Sequence, residues 1–166
     1  MSVADELRAA RAPGAGAAGG GPALRRILVP VGLAADAVPA LALAARLCDT
    51  ASGLLRLVHV RIYDPPVRGY PARFYPETRD AAAAAVDEAM LTVWGWGLRA
   101  DSAVVTAPRG KVAAAIAAEA AGWNAHVIVL TRRPRTAVSR LLWGCVPDQV
   151  MRKSGCPVLA VHPGRS

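Results

Sequence analysis

The sequence predicts an α/β domain built on a parallel sheet. Three observations carry this. Short β-branched apolar runs recur along the chain, they alternate with longer segments of helical periodicity, and those runs are apolar throughout rather than at every second residue. A strand that reads apolar on both faces is one that helices cover from both sides. The 166 residues suit one domain, since a domain takes roughly 100–200.

The elements follow in order from Leu24. Ile27–Val31 (ILVPV) is the first strand. Asp36–Thr50 reads as a helix, with Ala40, Leu43, Ala44 and Leu47 on one face. Leu54–Ile62 is the second strand, with His59-Val60 near its end. Thr78–Gly97 is a long helix presenting Ala82, Val86, Met90 and Val93. Ala100–Ala107 is the third strand. Gly110–Ala121 is an alanine-rich helix, with Val112, Ala115, Ile116 and Glu119 at helical spacing. His126–Leu130 (HVIVL) is the fourth strand, Val138–Lys153 the fourth helix and Pro157–Val161 the last strand, closed by His162-Pro163. Right-handed crossovers leave few topologies for such a string. The domain therefore spans residues 24–163. Residues 1–23 are expected to form a disordered tail, because Pro13–Pro22 is Gly, Ala and Pro alone and offers nothing large to bury against its ordering entropy.

Composition excludes several classes. Hydrophobic residues make up 54% and charged ones 19%, too apolar for a wholly disordered chain. The apolar runs are too short to cross a bilayer, which needs about 20 residues. Asp5 and Glu6 stand where a secretory signal would carry bases. Cys48, Cys145 and Cys156 show no metal-ligand spacing and leave one unpaired in any disulfide scheme, so a reduced, cytoplasmic setting is expected.

The net charge is +8, and residues 131–166 hold seven bases against one acid, Asp148. Such a basic segment suits either a solvated surface or an anionic partner. No nucleic-acid motif accompanies it, and the aromatic residues lie elsewhere, which disfavours nucleic acid.

In a parallel sheet, ligands lie beyond the carboxyl ends of the strands, where strand order reverses. No Gly-x-Gly-x-x-Gly or Gly-Lys-Ser/Thr follows the first strand, which argues against a dinucleotide or phosphate-loop site. After the second strand comes a long loop, Asp64–Glu77, with Tyr70, Phe74 and Tyr75; Tyr63 precedes it. It reads equally as a docking surface or as a loop packed on its own aromatics. His59 and His162 are assigned to strand ends and His126 to the opposite edge, as ordinary polar positions rather than metal ligands. No Gly-x-Ser-x-Gly and no Cys-His-acid arrangement occurs, so no enzyme is expected.

The chain resembles the universal stress protein family over about residues 25–163. The resemblance rests on Arg26-Ile27-Leu28-Val29-Pro30-Val31, on Leu57-Val58-His59-Val60, and on the closing block. That block comprises Ile128-Val129-Leu130, Leu141-Leu142-Trp143-Gly144-Cys145-Val146 and Gly155-Cys156-Pro157-Val158-Leu159-Ala160-Val161. It implies a single-domain, Rossmann-like, five-stranded parallel sheet in order 3-2-1-4-5 with four helices, and a homodimer through the last strand. Many members bind ATP through Gly-x2-Gly-x9-Gly-Ser/Thr. Here that spacing reads Thr131-x2-Pro134-x9-Gly144-Cys145. Thr131 adds a branched side chain where backbone approach is wanted, Pro134 removes an N–H donor, and Cys145 replaces a hydroxyl. Gly32 stands where binders place Asp.

The implied site comprises Pro30, Val31, Gly32, Val60, Leu130, Thr131, Arg132, Arg133, Gly144, Cys145 and Val146. Its adenine-nucleotide function is expected to be lost or remodelled, with Arg132, Arg133 and Arg135 able to hold a small anionic ligand by side-chain hydrogen bonds. The expected function is that of a cytoplasmic stress-response or regulatory protein that acts by binding and needs no cofactor. The alternatives are an ATP- or AMP-binding member, or an anion- or nucleic-acid-binding module using the Arg132–Arg135 loop.

Overall fold

The computed structural model of the protein describes residues 24–32, 34–68, 72–132 and 146–162. The expectations for residues 1–23, Gly69, Tyr70, Arg133, Pro134, Arg135, the helical segment 138–145 with Gly144 and Cys145, and Pro163 lie outside the described residues.

Five strands form one parallel sheet: β1 (Arg26–Pro30), β2 (Leu54–Tyr63), β3 (Ala100–Pro108), β4 (Val127–Thr131) and β5 (Val158–Val161). Their order is β3-β2-β1-β4-β5, as the resemblance implied. β1 is central, pairing with β2 from Arg26↔Leu54 to Pro30↔Val58 and with β4 at Ile27↔Val127 and Leu28↔Ile128. The described helices are α1 (Ala34–Leu47), α2 (Arg79–Gly95), α3 (Val112–Gly122) and α4 (Val146–Lys153).

The strand alternation sorts the core into two layers. Ile27, Val29, Val31, Leu55, Leu57, Val127 and Val129 face α1 and α2, meeting Ala40, Leu41, Val86 and Val93. Leu28, Val58, Ile128 and Leu130 face the other way, against Ile116, Trp123 and Val150. Continuous apolar strands are thus buried on both sides, as their composition requires.

Several boundaries differ from expectation. α1 begins two residues earlier, at Ala34, which puts Pro39 in its second turn. The helix ends at Leu47 rather than Thr50, because Cys48 bridges to Leu24 and the Asp49 N–H donates to the Leu24 carbonyl at 2.9 Å. Its buried face centres on Ala37, Ala40, Leu41 and Ala44, with Leu43 and Leu47 only half-buried at its margin. α3 buries Ala113, Ile116, Ala117 and Ala120, a face rotated from the one expected. α2 buries Ala82, Val86, Met90 and Val93 as expected. Its N-cap Thr78 accepts from the Ala81 N–H at 3.1 Å, satisfying one free donor of the first turn.

Gly53 makes the tightest turn. A Cβ there would stand 2.3 Å from both the Asp49 carbonyl oxygen and the Cys48 sulfur. At the amino ends of the strands, the Arg56 guanidinium bonds Asp101 through two 2.9 Å contacts and Glu119 through a third. It also lies 5.0 Å from the Trp123 ring centre, and Arg26 lies 4.8 Å from the same ring. This end of the sheet thus carries an electrostatic network centred on Arg56.

Candidate functional site at the carboxyl ends of β1 and β4

In the order β3-β2-β1-β4-β5 the strand succession reverses between β1 and β4, so the carboxyl ends of these two parallel strands are the candidate site. Pro30, Val31 and Gly32 leave β1 on one side of it. Leu130, Thr131 and Arg132 leave β4 on the other. Val146 opens α4 below them and packs, half-buried, on the layer containing Leu28 and Leu130. Val60 packs on that same layer from β2. Of the residues expected there, Pro30, Val31, Gly32, Leu130, Thr131 and Arg132 lie at the ends of β1 and β4, and Val60 and Val146 pack on the layer beside them; Arg133, Gly144 and Cys145 lie outside the described residues.

Val31 is 3% exposed, and its backbone is engaged at both polar groups. Its N–H donates to the Val58 carbonyl at 2.8 Å. Its carbonyl faces His59 Nδ1 at 2.9 Å. Gly32 is exposed, with nothing within 4 Å of where a Cβ would stand.

On the β4 side, the Arg132 N–H donates to the Val161 carbonyl at 2.7 Å, continuing the ladder past Thr131↔Val161. The Arg132 guanidinium turns to α4 and meets the Asp148 carboxylate, Nη2 to Oδ1 at 3.2 Å and to Oδ2 at 3.5 Å. Both groups are largely covered, with side chains 33% and 21% exposed. The Thr131 hydroxyl is buried and, among the described residues, has no hydrogen-bond partner.

His59 corrects an expectation. It is not at a strand terminus, because β2 runs on to Tyr63. It is 8% exposed, and its Nε2 meets Glu77 Oε2 at 2.8 Å. Glu77 was not foreseen as its partner, nor Asp148 as the partner of Arg132. The signal for His59 was available: Leu55, Leu57 and His59 alternate onto one face of β2. Among the described residues, no group of three or more His, Cys, Asp or Glu could hold a metal ion.

The aromatic loop lies at the same end of the sheet. Tyr63 and Tyr75 meet with ring centres 5.7 Å apart. Arg61 caps Tyr75 at 3.9 Å and Arg73 caps Tyr63 at 4.8 Å. Asp64 and Phe74 exchange backbone hydrogen bonds of 2.8 and 3.3 Å. Asp64 also takes a two-point contact from Arg109, with Nη2 to Oδ2 at 3.0 Å, and this hydrogen bond holds the Asp64 carboxyl below its ordinary range. The loop thus packs on its own aromatics, while Phe74 remains 65% exposed.

Comparison with known proteins decides the family. The model of the universal stress protein family matches residues 23–162. The chain belongs to the universal stress protein family. Solved structures share the fold of this family member. A universal stress protein from Archaeoglobus fulgidus is 23% identical, with a TM-score of 0.61 over 82% of this chain and 97% of that one. The Archaeoglobus fulgidus universal stress protein in complex with dAMP is 20% identical, with a TM-score of 0.60 over 84% and 98%. A family protein from Arabidopsis thaliana with AMP bound is 12% identical, with a TM-score of 0.58 over 84% and 92%. No curated protein matches the chain. Among the described residues, no helix is long and apolar enough to cross a membrane.

Proposed function

We propose that this universal stress protein is a non-catalytic, cytoplasmic regulatory member of its family, acting in the stress response by binding. Its adenine-nucleotide site is remodelled into one for a smaller ligand. The observation that carries the proposal is the Arg132–Asp148 ion pair. A carboxylate in the first turn of α4 already occupies the arginine and the positive helix end to which a phosphate would bind. Like charges about 4 Å apart near a protein surface repel by roughly 4 kcal/mol. That is half of the ~8 kcal/mol of a micromolar site. Together with the branched side chain at Thr131, the described residues fit a triphosphate poorly.

Two features support remodelling over simple loss. Val60 and Val146 pack, half-buried, on the apolar layer that holds Leu130 beside the ends of β1 and β4. Among the described residues the buried Thr131 hydroxyl lacks a partner, and a buried polar group ordinarily has one. A small molecule reaching this hydroxyl, with an anionic group to compete with Asp148 for Arg132, matches what is present. Binding rather than catalysis is supported by His59, whose two ring nitrogens are both engaged in the fold.

The solved relatives with AMP and dAMP favour a second reading, in which an adenine mononucleotide displaces Asp148 from Arg132. Calorimetric titration of AMP into the native chain and into Asp148→Asn separates the two. Remodelling predicts weak binding by the native chain and at least ~10-fold tighter binding by the variant. Micromolar affinity in the native chain would favour the mononucleotide reading.

A further inference from the structure

The His59 ring lies between two hydrogen-bond acceptors. Nδ1 faces the Val31 carbonyl at 2.9 Å and Nε2 faces the Glu77 carboxylate at 2.8 Å. A neutral imidazole carries one N–H and one bare nitrogen. Whichever tautomer forms, one acceptor then faces a lone pair at hydrogen-bond distance. Both contacts are satisfied together only when a second proton is present, on the imidazole or shared with Glu77.

Glu77 is not an isolated side chain. It closes the aromatic loop directly before Thr78, the N-cap of α2. Its carbonyl also accepts from Arg61 Nε at 2.9 Å. The segment Phe74–Glu77 is therefore a strap, tied at one end by the Asp64–Phe74 backbone pair and at the other by His59 and Arg61.

We propose that His59 and Glu77 form a proton-operated clasp that holds this strap against β2 and the end of β1. With the second proton bound, the clasp is closed and the Val31 carbonyl is engaged. As pH rises and the proton leaves, a bare ring nitrogen faces either Glu77 or the Val31 carbonyl, and the tie on that side, of the strap or of the end of β1, is lost. The surroundings place few other charges on the dyad. β2 contributes Arg61, which binds the Glu77 carbonyl. The first turn of α2 carries Arg79 and Asp80, both exposed. β3 places Val104 beside His59, and the buried residues of α1, Ala37, Ala40 and Leu41, are apolar. Val31 also borders the candidate binding crevice, so the clasp makes the strap and this crevice edge respond to the same proton. The clasp does not depend on which ligand the crevice takes.

The test is amide hydrogen exchange of the full chain from about pH 5.5 to 8.5, the range in which imidazoles commonly change charge. Rates are expressed as protection relative to unstructured peptide, with Leu55–Val58 as internal reference. Protection at Phe74–Glu77 or at Val31 should fall about tenfold across the range while the reference stays level. Glu77→Gln should abolish this dependence, because a glutamine amide can donate to a bare Nε2 or accept from a protonated one. Protection that is independent of pH in the native chain would overturn the proposal. So would a Glu77→Gln protein that keeps the native pH dependence. Nitrogen-15 NMR of the His59 ring in the native chain gives a second readout. The clasp requires the Nε2 signal to change with pH in step with the loss of protection, and a ring signal that stays level while protection falls would equally refute it.

Discussion

Arg132, one residue beyond β4, and Asp148, in the first turn of α4, meet at 3.2 Å. This pair joins the strand end to the helix that covers it. In the segment 131–166, with its seven bases, Asp148 is the one acid, so the carboxylate is held where positive charge is densest along the sequence. The described part of the site is thereby neutralised from within.

The turn at Gly53 should tolerate no side chain. A methyl group there would meet the Asp49 carbonyl oxygen and the Cys48 sulfur at 2.3 Å, and backbone cannot yield cheaply. Gly53→Ala should destabilise the fold by about 1–3 kcal/mol, read from the midpoint of urea unfolding at unchanged slope. Gly32→Ala has open space around it and should lie within roughly 0.5 kcal/mol of the native protein.

Cys48 should be a poor nucleophile. Burial pushes its thiol up from the ordinary value, and the Asp49 carboxylate adds to that. A raised thiol leaves less thiolate at neutral pH, and thiolate is the reactive form. Iodoacetamide at neutral pH should therefore modify Cys48 more slowly in the native chain than in urea, with the gap narrowing as pH rises. Peptide mass spectrometry measures both rates. Equal rates with and without urea would remove the argument.

β5 should be the dimer contact. It is an edge strand of four uncharged residues, Val158–Val161, paired only through β4 within the sheet. Leu159 is 39% exposed. Antiparallel pairing of two such edges about a two-fold axis satisfies both. Sedimentation at tens of micromolar should show a dimer, and Leu159→Lys should give a monomer or insoluble protein. A monomeric native chain would show that the edge is not used in this way.

The sheet was legible because burial on both faces leaves a continuous apolar run, as in Ile27–Val31 and Val127–Leu130. Element ends were less legible, since they depend on partners distant in sequence. α1 stops where Leu24 captures Cys48 and Asp49, and no local signal in Leu47–Thr50 records that. β2 ends at Tyr63, one residue past the expected Ile62, where Arg61 and Tyr63 find partners in the loop. At the candidate site, the strand ends were legible through the alternation of elements, whereas the partners of their side chains were not. The pairing of Arg132 with Asp148 spans 16 residues and depends on how α4 docks. The pairing of His59 with Glu77 depends on a loop returning to its own strand.

The central claim is that this family member binds a ligand other than ATP at the ends of β1 and β4. Calorimetric titration of ATP into the native full-length chain tests it most directly. The account predicts no binding tighter than about 1 mM, because Asp148 holds Arg132 and repels the triphosphate. Saturable binding of ATP with micromolar affinity would contradict it.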